Sequence, residues 1–148
     1  MPAISAELLD AYRATVYRVH APDGAIELRI GAANPALDAL LARHTVDRAA
    51  FVTACNPMSD PRAAAENAAA SARLHEDIVA AGFACLSGEG IDPTGRWPVE
   101  ISFLVLGISP AAAAGLATQY RQAAFVYHRC GAAPEVVLTA QTFLVPPA

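Results

Sequence analysis

The sequence predicts an α+β domain, or a three-layer α/β domain, built around one mixed and largely antiparallel sheet that three to four helices cover. Helical and strand periodicities alternate along the chain in the order α-β-β-α-β-α-β-β-α-β-β. Strand pairs joined by short turns lie at both ends of this order, which indicates terminal hairpins and disfavours a purely parallel sheet. The 148 residues, of which 55% are hydrophobic, are enough for a single domain over residues 1–148 with a substantial core.

The first predicted elements are a capped helix and a hairpin. Ser5 is expected to cap a short helix that carries Tyr12. Strands over residues 15–20 and 25–30 follow, and the second shows the apolar-polar alternation of a half-buried strand. Residues 22–24 join them in a turn, because proline presets φ and glycine accepts a positive φ.

A second helix and a central strand come next. Asn34 is expected to cap this helix, with Pro35 at its first helical position. The strand over residues 51–55 is apolar on both faces and is therefore predicted to be central in the sheet. The buried stripe of the helix has the spacing of one helix face and consists of Leu37, Leu40, Leu41 and His44.

The second half of the chain is predicted from the same kinds of signal. A long helix over residues 61–81 ends at Gly82, and a glycine-rich loop over residues 87–96 precedes a second central strand over residues 97–107. The other predicted elements are a strand at 83–86, a helix at 109–121, strands at 123–129 and 135–143, and a frayed tail at about 144–148.

Composition excludes several classes of function. The net charge is −4 and all ten basic residues are arginines without a basic stripe, which argues against nucleic acid or an anionic membrane as partner. The longest apolar runs are far shorter than the roughly 18 to 20 residues of a membrane span, and no signal peptide is visible. Three widely spaced cysteines are typical of reduced thiols, so we expect a cytoplasmic protein.

The turn between Thr53 and Ser59 is the predicted functional site. An apolar strand ends there in small polar residues, and loops at strand ends often carry binding chemistry. Asn56 precedes a proline and is expected to be extended, as a turn residue or as part of the site. Ser59 or Asp60 is expected to cap the following helix. Thr53 either packs inside the strand or offers its hydroxyl at the strand end.

Asn67 lies on the buried side of the long helix. Leu74 and Ile78 follow it by seven and eleven positions, which places all three within about 20° around the helix axis. A buried amide needs hydrogen-bond partners. Asn67 is therefore expected either to hold the backbone of the Thr53–Ser59 turn or to face a ligand.

Glu100 and Gln122 complete the candidate set. Glu100 enters a strand that is apolar on both faces, so it is expected to form an ion pair, with Arg96 or another arginine, or to have its pKa raised by desolvation. It is the best candidate for a catalytic proton-transfer group. Gln122 follows a helix and either folds back over the same pocket or lies at the surface.

Other chemistries lack their usual patterns. There is no phosphate-binding P-loop, no Gly-x-Gly-x-x-Gly, and no recognisable Ser-His-Asp arrangement. Cys55 ends a buried strand, where cysteine usually serves as a small hydrophobic residue. The four histidines show no metal-ligand spacing, so we expect no metal and no cofactor, and no reaction is identified.

Several motifs together resemble a small bacterial family known as domain of unknown function 3293. These are Tyr12 before a strand, Thr53-Ala-x-Asn-Pro-x-Ser59, Asn67 in the next helix, Trp97-Pro-x-Glu100 after glycines, and Gln122-Ala beyond the third helix. The resemblance spans roughly residues 12–139 and supports the element order and the same candidate residues. It implies no activity, substrate or cofactor. Cys55 stands where the family pattern implies an aromatic residue.

Two functions are compatible with these observations. The first is a pocket for a small polar molecule, lined by the candidate residues, whose amides and hydroxyls would orient the ligand. The second is a non-enzymatic interaction or homodimerisation module, indicated by the high apolar content and by the alanine-rich helix near residues 109–120. The ligand-binding candidates are Thr53, Asn56, Ser59, Asn67, Glu100 and Gln122.

Overall fold

The computed structural model describes residues 3–139 and 143–145, which form four α-helices and a curled seven-stranded antiparallel sheet. The predicted α+β class is confirmed. The helices are α1 (Ala6–Ala14), α2 (Pro35–Arg43), α3 (Ala64–Ala80) and α4 (Pro110–Gln119). The strands are β1 (Ala3–Ser5), β2 (Val16–Ala21), β3 (Gly24–Leu28), β4 (Arg48–Thr53), β5 (Cys85–Ile91), β6 (Glu100–Leu106), β7 (Ala124–Arg129), β8 (Glu135–Leu138) and β9 (Phe143–Val145).

The large sheet has the strand order β3-β2-β5-β6-β4-β7-β8, and every neighbouring pair is antiparallel. The predicted terminal hairpins, β2–β3 and β7–β8, form its two edges. Both strands predicted to be central are interior: β6 lies in the middle and β4 next to it. The parallel pairing in the described residues is separate and joins β1 to β9.

Different helices pack against the two faces of the sheet. Phe103 and Val105 of β6 pack in the core cluster that includes α3 and α4. Leu104 and Leu106, which point to the opposite face, pack in the cluster that includes α2. The sheet therefore lies between two apolar layers. No helix in residues 3–139 or 143–145 has the length and apolar character that a bilayer crossing requires.

The helix caps predicted at Ser5 and Asn34 are confirmed. The side chain of Ser5 accepts a hydrogen bond from the backbone of Leu8 at 3.1 Å, and that of Asn34 accepts one from Leu37 at 3.0 Å. Ser109 caps α4 in the same way. These signals are local, so they act without help from the rest of the fold.

The predicted loop over residues 87–96 is wrong in its first half, because β5 continues to Ile91. A Cβ atom at Gly88 would lie 2.3 Å from the backbone oxygen of Arg18 and 3.0 Å from the ring of Phe51. Glycine is required there because a neighbouring strand and an aromatic ring approach closely, and not because the chain turns.

The predicted start of the long helix is also wrong. Residues 57–59 form a short 3-10 turn and α3 begins at Ala64, with Ala63 as an N-cap that offers no side-chain hydrogen bond. Neither Ser59 nor Asp60 caps the helix. His44, predicted in the buried stripe of α2, is exposed at its C-terminal end. The observed β4 ends at Thr53 instead of residue 55, and β6 begins at Glu100 instead of residue 97.

The C-terminal prediction needs correction as well. The strand predicted over residues 135–143 ends at Leu138. Leu144 and Val145, predicted to belong to a frayed tail, pair with Ile4 and Ser5 in the β1–β9 ladder. Residues 140–142 and 146–148 lie outside the described residues.

Candidate functional site

A cleft of about 280 Å³ lies at the end of β4 and the start of β6, and we call it the strand-end cleft. Thr53 pairs with Ser102, so the end of one strand and the beginning of its neighbour meet at the same edge of the sheet. The connection from β4 to α3 and the helix α1 enclose this edge. The polar residues that line the cleft include Tyr12, Asn56, Ser59, Asn67 and Glu100.

Asn56 is the centre of a hydrogen-bond network in this cleft. Its Nδ2 donates to Oε2 of Glu100 at 2.7 Å. Its Oδ1 accepts from Nδ2 of Asn67 and from the backbone N–H of Arg62, both at 2.9 Å. Its own backbone N–H donates to Oδ1 of Asn67 at 2.9 Å. Three of the predicted site residues, distant in sequence, are therefore joined directly.

The backbone of this turn is strained. Asn56, Met58 and Ser59 have φ values of 48°, 53° and 61°, in the left-handed region. The prediction that Asn56 is extended before proline is wrong, because its hydrogen bonds hold the left-handed conformation. The backbone N–H of Met58 donates to the carbonyl of Arg121 at 2.8 Å, which fixes the turn to the end of α4. Such conformations cost of order 1–3 kcal/mol each and persist where surrounding contacts enforce them.

Glu100 has no arginine partner in the described part of the chain, so the predicted ion pair with Arg96 is wrong. Arg96 instead donates its backbone N–H to Asp92 at 3.0 Å. Burial raises the pKa of the Glu100 carboxyl above its usual value, and the hydrogen bond from Asn56 only partly offsets this effect. Glu100 is thus a half-buried carboxyl group held by an amide and not by a cation.

Tyr12 is a site residue that the candidate set missed. Its hydroxyl lies 2.7 Å from Oγ of Ser59, so α1 is joined to the strained turn. Burial raises the pKa of the Tyr12 phenol, and the negative charge of nearby Glu100 adds to this effect. Its position on the buried side of a helix predicts an ordinary core residue. The one sequence signal that could have identified Tyr12 as a site residue was its place in the family pattern.

Thr53 and Gln122 are placed differently from the other candidates. The Thr53 hydroxyl donates to the carbonyl of Ile101 at 2.8 Å and accepts from the backbone of Cys55 at 3.1 Å, which closes the strand end. Gln122 is buried and its Nε2 donates to the carbonyl of Cys55 at 3.0 Å, so it does not lie at the surface. Both line a smaller adjoining cavity of about 90 Å³ that shares Tyr12 and Glu100 with the strand-end cleft.

The thiol of Cys55 is packed inside the protein. Its Sγ lies 3.7 Å from Oγ of Ser71 and 3.6 Å from the carbonyl oxygen of Ile101. In the parts of the chain that the structure describes, no three His, Cys, Asp or Glu side chains are grouped closely enough to share a metal ion. The carboxyl and guanidinium groups that line the cleft are those of Glu100, Asp92 and Arg62.

Comparison with known proteins places this site in a family. Residues 52–125, half of the chain, match the model of the family described as "Protein of unknown function (DUF3293)". The match includes Asn56, Asn67, Glu100 and Gln122, whereas Tyr12 lies outside it and the resemblance from the sequence extended further. No curated protein and no solved structure matches the chain. The chain belongs to the DUF3293 family of proteins of unknown function.

Proposed function

We propose that the protein binds a small polar ligand in the strand-end cleft. The observation that supports this most directly is the network around Asn56, which holds Glu100 at the cleft with its Oε2 engaged. The other carboxylate oxygen, Oε1, has no hydrogen-bond partner among the described residues. This oxygen is not among the buried unpartnered atoms, so it is accessible from solvent and could accept a hydrogen bond from a ligand in the cleft.

The strained turn supports the same proposal. Left-handed conformations at three of four consecutive residues are unfavourable for the isolated chain. The contacts of Asn67, Arg62 and Tyr12 compensate for this cost and hold the turn rigid. Rigid placement of polar groups reduces the entropy that a ligand must overcome on binding.

The dimensions of the cleft limit the ligand. Small-molecule sites typically occupy about 300–1,000 Å³. At about 280 Å³ the strand-end cleft lies just below this range, so the expected ligand is a small metabolite and not a nucleotide or a peptide.

Trp97 provides a direct test, because it is the single tryptophan of the chain and lines the cleft. A collection of small polar compounds would be titrated into the protein while tryptophan fluorescence is recorded, and hits would be measured by calorimetry. We expect hits to lose affinity in Glu100→Gln and to keep it in Glu76→Gln, which changes an exposed glutamate on α3. The absence of saturable binding across the collection, or equal affinity in both variants, would contradict the proposal.

The alternative of an interaction module depends on the alanine-rich helix α4. Ala113 and Ala117 of α4 are buried in the core cluster against the sheet. Their small size is thus explained by packing within the chain. Homodimerisation remains a prediction, and sedimentation velocity of the purified protein tests it.

A further inference from the structure

The charged side chains that line the strand-end cleft differ in how many of their polar atoms already have a partner within the protein. Nη1 of Arg62 lies 3.4 Å from Oδ2 of Asp60, which compensates its positive charge. Both oxygens of Asp92 already accept hydrogen bonds, from the side chain of Thr94 and from backbone groups of the same loop. Oε1 of Glu100 has no hydrogen-bond partner among the described residues, and the cleft lining carries two carboxylates, Glu100 and Asp92, against one guanidinium, Arg62.

An apolar surface lies next to this carboxylate. Trp97, Val99 and Ile101 have exposed fractions of 51%, 54% and 45%, and all three line the cleft. Val79 is the other exposed large hydrophobic residue in the described segments, and it lies elsewhere, on α3. Single exposed apolar side chains scattered over a surface are ordinary. A group of them around one cavity indicates a surface that contacts an apolar group of a ligand.

The loop that carries Trp97 is held in place. Asp92 accepts backbone hydrogen bonds from Thr94 at 2.9 Å, Arg96 at 3.0 Å and Trp97 at 3.1 Å. These bonds fix residues 92–97 beside the start of β6. The backbone of Trp97 is therefore fixed three residues before Glu100, and both residues line the cleft.

Building on the proposed function, we infer that the strand-end cleft selects small organic amines. The ammonium group donates to Oε1 of Glu100, and the apolar part of the molecule covers Trp97, Val99 and Ile101. A hydrogen bond between two ionised groups is stronger than one between neutral groups, and here it supplies the counter-charge that Glu100 lacks within the described residues. An anion of the same shape meets the charges of Glu100 and Asp92 and is repelled.

Three probes of matched shape test this inference: 2-phenylethylamine, 2-phenylethanol and 3-phenylpropanoate. Binding would be measured by Trp97 fluorescence and by calorimetry at neutral pH and low salt. We expect the amine to bind about tenfold or more tightly than the alcohol, with the carboxylate weakest. Glu100→Gln is expected to remove this preference, whereas Glu76→Gln leaves it unchanged.

A second variant addresses the apolar surface and does not depend on Glu100. Val99→Ala, at an exposed position, is expected to weaken binding of the amine about threefold or more and to leave the order of the three probes intact. Circular dichroism and thermal melting verify that each variant is folded.

The outcomes separate the inference from the proposed function. Equal or tighter binding of 3-phenylpropanoate overturns amine selectivity, and binding that still depends on Glu100 leaves the proposed function standing. Failure of all three probes, while polar compounds of the larger collection bind, also overturns the inference alone. Failure of every compound overturns both.

Discussion

Replacement of Glu100 by glutamine is expected to stabilise the protein at neutral pH, although it removes a charge from the centre of the site. Burial raises the pKa of the carboxyl, which means that folding penalises the charged form of Glu100 relative to its neutral form. Glutamine is a neutral group of nearly the same shape. Its carbonyl oxygen accepts the bond from Nδ2 of Asn56, which measures 2.7 Å in the native protein.

Two opposing effects set the size of the change in the free energy of unfolding that Glu100→Gln causes. A hydrogen bond to a charged acceptor is worth about 1.5–3 kcal/mol and one to a neutral acceptor about 0.5–1.5 kcal/mol, so the substitution loses on the order of 1 kcal/mol there. It also removes the cost of burying a carboxylate. The raised pKa shows that this cost exceeds the benefit of the hydrogen bond. We therefore expect a net gain on the order of 1 kcal/mol in the free energy of unfolding.

The pH dependence follows from the same argument. Below the ordinary pKa of glutamate, Glu100 is protonated in both states and imposes no penalty. As the pH rises through the unfolded and then the raised folded pKa, the unfolded state releases its proton first, and stability contributed by this group is lost. The difference between Glu100→Gln and the native protein should thus be near zero at about pH 4 and reach its full value above the raised pKa.

Urea denaturation, followed by far-ultraviolet circular dichroism between about pH 4 and pH 8, measures this difference. Each unit of pKa difference corresponds to about 1.4 kcal/mol, so the height of the step reports the shift itself. Glu76→Gln makes the same change at an exposed position on α3 and is the matched control. A Glu100→Gln variant that is less stable than the native protein at pH 7, or a difference that is constant with pH, would refute the reasoning.

Further substitutions separate the parts of the site. Asn67→Ala leaves the backbone N–H of Asn56 without its partner and removes one of the two hydrogen bonds to the side-chain oxygen of Asn56, which keeps the bond from Arg62. This change should cost about 1–3 kcal/mol in urea denaturation, and a loss below about 0.5 kcal/mol would contradict the role of Asn67. Gly88→Ala places Cβ 2.3 Å from a backbone oxygen and should cost about 1–3 kcal/mol or more. Gly90→Ala meets its nearest atoms only at 3.9 and 4.0 Å and should stabilise by about 0.4–1 kcal/mol, so equal losses at both glycines would be inconsistent with the packing.

The parts of the fold that the sequence predicted well depend on local signals. The caps at Ser5 and Asn34 require only a side chain and the next three residues. Apolar stretches on both faces marked β4 and β6 as interior, because a strand covered on both sides needs no polar alternation. Hairpins at the two ends followed from turn residues between alternating strands.

The errors arise where distant residues decide the local structure. Gly88 belongs to a strand because Arg18 and Phe51 approach it, and both lie far away in sequence. The glycines and the proline between residues 87 and 96 are typical of a turn, so the local pattern predicts a longer loop than the one observed after β5. The pairing of β1 with β9 joins two segments near opposite ends of the chain, and no local sequence pattern predicts it.

The candidate site was predictable to the extent that polar residues interrupt apolar patterns. Asn67 on a buried helix face and Glu100 at the head of an apolar strand are both such interruptions, and both contact Asn56. Tyr12 was not singled out because an aromatic residue on a helix fits the core equally well. The left-handed turn was not predictable either, since it depends on acceptors and donors supplied by three other segments.

Different residues of the hydrogen-bond network around Asn56 have different roles: some hold the turn in place, and one is available to a ligand. Oδ1 of Asn56 already accepts from Asn67 and Arg62, and its Nδ2 donates to Glu100, so its known bonds all serve the protein. Glu100 lines the cleft and uses one oxygen for this network, while the other oxygen has no hydrogen-bond partner among the described residues. Loss of Asn67 should therefore lower stability and ligand affinity together, because the turn relaxes. Loss of the Glu100 charge should lower affinity while stability rises. A preorganised binding site requires that the change in stability has opposite signs for the substitutions at Asn67 and Glu100. A purely structural cluster would lose stability at both positions.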